Sequence, residues 1–384
     1  MKRVLTALLL AAVLAGLAGA APVRPDLVLG IEWRAGGGQL AWRSAATLRP
    51  TGCEIDVGGA SVRLAAVSPD GTLAALARSD GQLRIIELRP LRSLWKLALG
   101  KHVAAAIWAA PERLVAVTGG GTPAIVVVDT LARRVLSRRE LDGELWNAVA
   151  GGRRVLGILA PEGRIGPARL AIVEADGSIR RIALPGVTAG FAPAPSPEGI
   201  GKQASPGLAV NAAGSRAAVV GLEVLLSINL ETLEIERART RSLSRVGKRI
   251  EGWSRHAVSL GGDRVAVVGR TYGSKGNQPN STTTGLRLQR LGSTASRVLD
   301  ATAAGVTRSG DTLLAFGGTA LRGYDLDGTL RFELLRGRET GYVQTAGRWA
   351  YVGGGNSTRF TVVDVRAGRV VGTAGTPKPT TVLH

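Results

Sequence analysis

AAVSPDGTLAALARSDGQLRIIEL, from Ala65 to Leu88, reads as three short antiparallel strands joined by two tight turns. Ala65-Ala66-Val67 is a small apolar run suited to a buried strand. In Ser68-Pro69-Asp70-Gly71 the proline presets φ and the glycine accepts a positive φ, so the chain turns there. Leu73 to Ala77 is a second apolar run, and Asp80-Gly81 is a strong two-residue hairpin signal. Leu83 to Leu88 closes the unit with the partial alternation of a strand that has one drier face. A single sheet of this size cannot bury its own faces, so the stretch predicts copies of itself stacked alongside.

The copies follow over residues 58–100, 101–141, 142–184, 207–240, 252–301, 302–335 and 338–375. Their first turns, at Gly71, Arg113, Gly152, Gly214, Gly262, Gly310 and Gly347, recur at intervals of 37 to 62 residues. The longest interval holds a Pro- and Gly-rich insert from Pro185 to Pro206. The period of about 40–45 residues is that of a four-stranded propeller blade. The expected fold is therefore all-β, a single β-propeller domain over residues 21–384 built of four-stranded antiparallel blades. Residues 26–57 hold three further strands: Leu27 to Arg34, Gln39 to Ala46 and Cys53 to Val57. If Thr380 to Leu383 supplies their innermost strand, the ring is stapled terminus to terminus with eight blades; if they are decoration, it has seven.

These units resemble blades of the WD40/YVTN-like β-propeller superfamily, in which a small apolar strand leads into an S-P-D-G turn. Only Ser68-Pro69-Asp70-Gly71 matches that turn in full. There is no Trp-Asp pair, and Gly100-Lys101-His102 only approximates the Gly-His pair of true WD40 repeats. The resemblance spans nearly the whole chain after residue 20 and implies a fold rather than an activity.

The chain opens as a secretory signal does. Lys2-Arg3 supply the positive end, Val4 to Leu17 the apolar segment and Ala18-Gly19-Ala20 the small-residue cleavage site. The apolar segment is shorter than the ~20 residues of a spanning helix. A secreted or periplasmic protein is expected, cleaved near Ala20. Cys53 is the only cysteine, so the chain can form no intramolecular disulfide. The formal net charge of +20 would draw nucleic acid, lipopolysaccharide or other acidic polymers. Only seven of the 49 basic residues are lysine, and with abundant Ala, Gly, Val and Leu this skew is what a GC-rich bacterial genome produces.

No catalytic or cofactor motif emerges. The chain lacks CxxC, HExxH, a G-x-S-x-G elbow, a P-loop and a dinucleotide fingerprint, so no catalytic residue, metal ligand or cofactor is assigned. His102 and His256 fall near the start of innermost strands, close to the channel mouth; a structural role is expected for both. Asp325-Leu326-Asp327-Gly328 reads as a hairpin turn rather than a calcium loop. Trp108, Trp146 and Trp253 are expected to pack between sheets.

One constellation has a geometric argument. In a propeller, the connections from second to third strand and from one blade to the next emerge on the same face. The long irregular segments fall in those classes: Ala160 to Ala168 and Thr271 to Thr284 within blades, Pro185 to Pro206 and Arg241 to Glu251 between them. They are expected to form a raised crescent of loops, and long loops on a rigid scaffold are where function concentrates. The crescent is basic, which singles out Arg164, Lys202, Arg245, Lys248, Arg249, Arg270 and Lys275, with Tyr272 as a hydrogen-bonding aromatic. The expected function is a non-enzymatic scaffold in the cell envelope that binds a protein partner through this face. The alternatives are a polyanion or nucleic-acid binder using the same basic face, and an enzyme of the quinoprotein or lactonase kind, which share the fold.

Overall fold

The computed structural model of the chain describes residues 26–384 apart from 36, 60–61, 101–102, 111, 120–121, 194–201, 242, 244–251, 276–277, 339, 354–357, 377, 379 and 384. Among the described residues every regular element is a β-strand. The first three are β1 (Leu27–Arg34), β2 (Gly37–Ser44) and β3 (Ile55–Gly58). A first complete antiparallel sheet follows from β4 (Val62–Val67), β5 (Leu73–Arg78), β6 (Gln82–Leu88) and β7 (Leu91–Ala98). The next comprises β8 (Val103–Ala110), β9 (Arg113–Thr118), β10 (Ala124–Asp129) and β11 (Arg134–Glu140). Then come β12 (Glu144–Gly151), β13 (Arg154–Ala160), β14 (Gly166–Val173), β15 (Ile179–Ala192) and the short β16 (Lys202–Ser205). β17 (Gly207–Val210), β18 (Arg216–Val220), β19 (Val224–Asn229) and β20 (Ile235–Arg239) form a sheet of their own. They are followed by β21 (Gly252–Gly261), β22 (Arg264–Lys275), β23 (Gln278–Arg290) and β24 (Ser296–Asp300). Two more four-stranded sheets are β25 (Gly305–Ser309), β26 (Thr312–Phe316), β27 (Leu321–Tyr324) and β28 (Leu330–Leu334), and β29 (Tyr342–Ala346), β30 (Trp349–Gly353), β31 (Arg359–Asp364) and β32 (Arg369–Gly375). The last strand is β33 (Thr380–Val382).

The founding stretch folds as its residues dictate. Gly71 adopts φ +68° and its N–H reaches the Ser68 carbonyl. The Ser68 hydroxyl accepts from Leu73 N at 2.9 Å, and Asp70 accepts from Thr72 N at 3.1 Å. The Ser68 hydroxyl beside it holds the Asp70 carboxyl below the usual carboxylate range. The apolar runs then do the packing. Ala75, Leu83 and Ile85 meet Leu114, Val126 and Val128 of the next sheet, all buried. The same interdigitation recurs between each pair of neighbours, and each fully buried Leu or Ile contributes about 1.5–3 kcal/mol. The first strands lie side by side around the ring, β4 beside β8, then β12, β17, β21, β25, β29 and β33. The chain is a β-propeller.

The ring is closed by its two ends. β33 pairs antiparallel with β1, Thr381 opposite Ile31, and so completes a sheet ordered β33-β1-β2-β3. The Trp33 indole donates to the Thr381 hydroxyl at 3.0 Å. On the other side of this sheet Tyr351 and Phe360, both buried, stand edge to face at 6.4 Å, and the Tyr351 hydroxyl donates to the Ala45 carbonyl. Burial pushes that phenol well above its ordinary pKa.

The blade count differs from expectation. The structure has six discrete four-stranded blades, not seven or eight. The repeats near 142–184 and 252–301 are not separate sheets: with β16 between them, β12–β15 and β21–β24 make one nine-stranded sheet. These two groups flank β17–β20 in the ring, so the sheet joins two neighbours of one blade. The cause is the Pro185–Pro206 insert. It was expected to leave the repeats as a loop, but β15 runs on to Ala192 and the chain returns as β16.

Candidate functional site

The join is a second sheet raised over the β17–β20 blade. β15 pairs first with β14 along Ile179 to Ala183 and then, after a break in register, at Thr188 and Ala189. Its end pairs with β16, Phe191 opposite Gln203. β16 in turn runs parallel to the start of β21, Ala204 beside Trp253. The extended halves of β22 and β23 finish the sheet, with Tyr272 opposite Gly252 and Ser281 opposite Tyr272. Gly190 makes the close approach possible: at φ +127° it lies so near the Arg164 carbonyl that a Cβ would come within 2.2 Å of it.

One face of the raised sheet is anchored. Ala204, Trp253 and Leu243 are buried there together, packed against Ile165 and against Leu222 from the turn between β18 and β19. Arg255 lies beneath, only 4% exposed, donating from Nε to the Gly221 carbonyl at 3.2 Å and from Nη2 to the Leu222 carbonyl at 2.8 Å and to the Arg241 carbonyl. Among the described residues it has no carboxylate partner. Burial, with Arg287 nearby, pushes its guanidinium down to about 10.

The opposite face is half-open and polar. By the alternation of a strand, Gln203, Ser205, Ser254, Arg270 and Tyr272 all face away from the anchored side, and all are half-buried. The hydroxyls of Ser254 and Tyr272 share a hydrogen bond at 3.1 Å. Arg270 lies directly between Ser254 and Thr283 in register. His256, two residues along from Ser254 on the first strand of its unit, is solvent-exposed, and partial desolvation by the neighbouring protein lowers its imidazole from the ordinary value. Phe191 is exposed at the lip, 42% accessible. Its ring also lines a cleft of ≈ 500 Å³ together with Glu140, Asp142, Glu144 and Glu162, and Arg169 engages Asp142 at 2.7 Å. A basic, hydroxyl-rich sheet thus borders an acidic cleft across one aromatic ring.

The residues singled out in the sequence divide cleanly. Lys202, Arg270, Tyr272 and Lys275 are on the raised sheet, Lys275 pairing its backbone with Gln278. Arg164 is exposed in the turn against which Gly190 presses. Arg245, Lys248 and Arg249 lie outside the described residues, as do His102 and residues 1–20, expected to be a secretory signal. The crescent of irregular loops is corrected: Thr271 to Thr284 is a strand hairpin, and Pro185 to Pro206 contributes β15 and β16. Tyr272, Thr271 and the run Thr282-Thr283-Thr284 are strand-forming residues, and that β-propensity was the available signal. Phe191, Gln203 and Ser254 were missed because nothing local marks them; only the register brings them together. Trp108 and Trp253 are buried as expected, while Trp146 is partly buried beside the cluster formed by β12–β15 and β17–β20. Among the described residues no three His, Cys, Asp or Glu side chains are grouped to hold a metal, and no helix is long and apolar enough to cross a membrane.

No family model and no curated protein matches the chain. Solved structures do. The dihydro-heme d1 dehydrogenase NirN is similar at TM-score 0.60 and 14% identity, over 95% of this chain and 77% of that one. Apo AztD from Citrobacter koseri is similar at TM-score 0.53 and 12% identity, over 93% and 97%. The computationally designed Ika8 protein is similar at TM-score 0.52 and 12% identity, over 92% and 94%. At such identities the likeness is one of architecture, and it places this chain among the β-propellers.

Proposed function

We propose that the chain is an exported, non-enzymatic propeller that binds a protein partner in the cell envelope, and that the raised sheet is its recognition surface. One observation carries the reading: a strand-built platform presents Gln203, Ser254, Arg270 and Tyr272 on one face, with Phe191 at its lip. Arginine and aromatic residues beside adaptable polar groups are the chemistry that protein interfaces concentrate. A platform on strands also orders little on binding, which limits the entropic cost. The test is affinity capture of the tagged protein from its own cell envelope, beside a variant carrying Arg270→Ser and Tyr272→Ala. A protein partner recovered with the parent and lost with the variant supports the reading; capture indifferent to both changes overturns it.

A second reading, polyanion binding, is favoured by one feature. From Arg264 to Arg290 the chain carries five cationic side chains and no carboxylate. Phosphate neutralisation would make affinity for nucleic acid or lipopolysaccharide fall steeply with salt. A flat salt response rules it out.

A further inference from the structure

The raised sheet ends on an open edge. β24 pairs with β23 only from Leu286 to Gln289, and Leu286 lies opposite Asp300, its last residue. Above that point β23 continues from Thr283 to Gln278 with β22 on one side only; among the described residues no strand pairs with its other side. Six residues at ~3.3 Å each make an edge of about 20 Å. Most natural edges of this kind are covered, charged or broken.

The direction of the backbone groups follows from the hairpin. Lys275 and Gln278 close it around two residues, and the closing pair of such a hairpin exchanges its hydrogen bonds. Alternate pairs, Gly273 with Asn280 and Thr271 with Thr282, then bond inward. Positions 279, 281 and 283 turn their backbone groups outward. Pro279 obeys this: lacking an N–H, it fits a position with no ladder bond to make. The Ser281 N–H and carbonyl are left facing out. At the inner end the Thr283 hydroxyl donates to the Ala303 carbonyl at 2.7 Å and marks where the cover stops.

Resting on the reading of the raised sheet as the binding surface, we propose that the partner is held by strand addition: an extended acidic segment pairs with β23 along Pro279 to Thr283. Main-chain hydrogen bonds give such a complex its affinity, and alternate side chains give it selectivity. The acidic character is set by the platform. Residues 187–192, 202–205, 252–254, 270–275 and 278–283, which build it, include Lys202, Arg270 and Lys275 but no Asp or Glu. A basic strand would meet like charge there, as would the same edge of a second copy of this chain.

The probe is a displayed library of random twelve-residue peptides selected on the full chain. Enriched peptides should alternate β-branched residues with Asp or Glu. Their affinity should fall at least tenfold on Ser281→Pro, which removes the outward N–H at a position that makes no ladder bond to β22, and stay unchanged on Ser281→Ala. Methylating alternate peptide nitrogens should weaken binding to the parent protein equally, a measurement that stands even if Ser281→Pro folds poorly. Enrichment without acidic residues, or binding indifferent to both changes, overturns strand addition. Peptides that respond only to Arg270→Ser and Tyr272→Ala would leave the raised sheet as the surface and sink the edge; peptides indifferent to all of these sink both.

Discussion

The two places where this propeller leaves its repeat handle a buried arginine differently. In the closing sheet, Arg43 is fully buried and meets Glu32 at 3.5 Å and Glu54 at 3.9 Å, with the Leu48 carbonyl accepting from Nη1 at 3.0 Å. Burial lowers its guanidinium, and the two carboxylates act against that. Under the raised sheet, Arg255 is nearly as buried but is held by backbone carbonyls, with the charge of Arg287 adding to its discomfort. Charge is balanced within the join that keeps the ring shut. It is left positive under the raised sheet. The difference teaches that two buried arginines in one fold can be accommodated by opposite means, one by carboxylates that cancel its charge and one by carbonyl dipoles that leave it.

The largest expected effect is at the closure. Glu32→Ala strands Arg43 without its nearest carboxylate, and breaking such a buried pair costs about 3 kcal/mol. Chemical denaturation measures it, and a loss below about 1 kcal/mol would show that Glu54 and the carbonyls suffice. Arg255→Met is expected to cost less, about 1–2 kcal/mol, because it leaves three carbonyls without a donor but no opposite charge unpaired. A loss equal to that of Glu32→Ala would erase the contrast between the two joins.

The smallest effect concerns His256. Burial lowers its folded-state pKa, so the unfolded chain takes up the proton first. Its contribution is therefore at its most favourable above the ordinary value of about 6.5 and declines as pH falls through that value, levelling off below the folded pKa. Thermal melts at pH 7.5 and pH 5 should differ more in the parent than in His256→Asn, with the parent losing the additional stability at pH 5. Parallel melts in the two proteins would mean that the imidazole is as hydrated as in the unfolded chain.

Much of the fold was legible. The turn Ser68-Pro69-Asp70-Gly71 and the apolar runs beside it specify strands locally, through φ preferences and side-chain alternation that need no distant partner. The closing pair of β1 and β33 was legible only as an alternative, because strand pairing over some 350 residues leaves no local trace beyond two compatible strands. The raised sheet was read as loops. Its residues are polar on one face and interrupted by glycine, so neither alternation nor length distinguished them from connections.

The sequence alone thus determined the repeating unit and the all-β class, because each depends on residue type and near-neighbour order. Only the tertiary structure decided that two repeats share one nine-stranded sheet, that Arg255 is buried without a carboxylate among the described residues, and that β23 ends on an open edge. Those features depend on register between segments far apart in the chain. Register is settled by what the ring brings together, since a strand's hydrogen-bonding groups are the same whichever neighbour they meet.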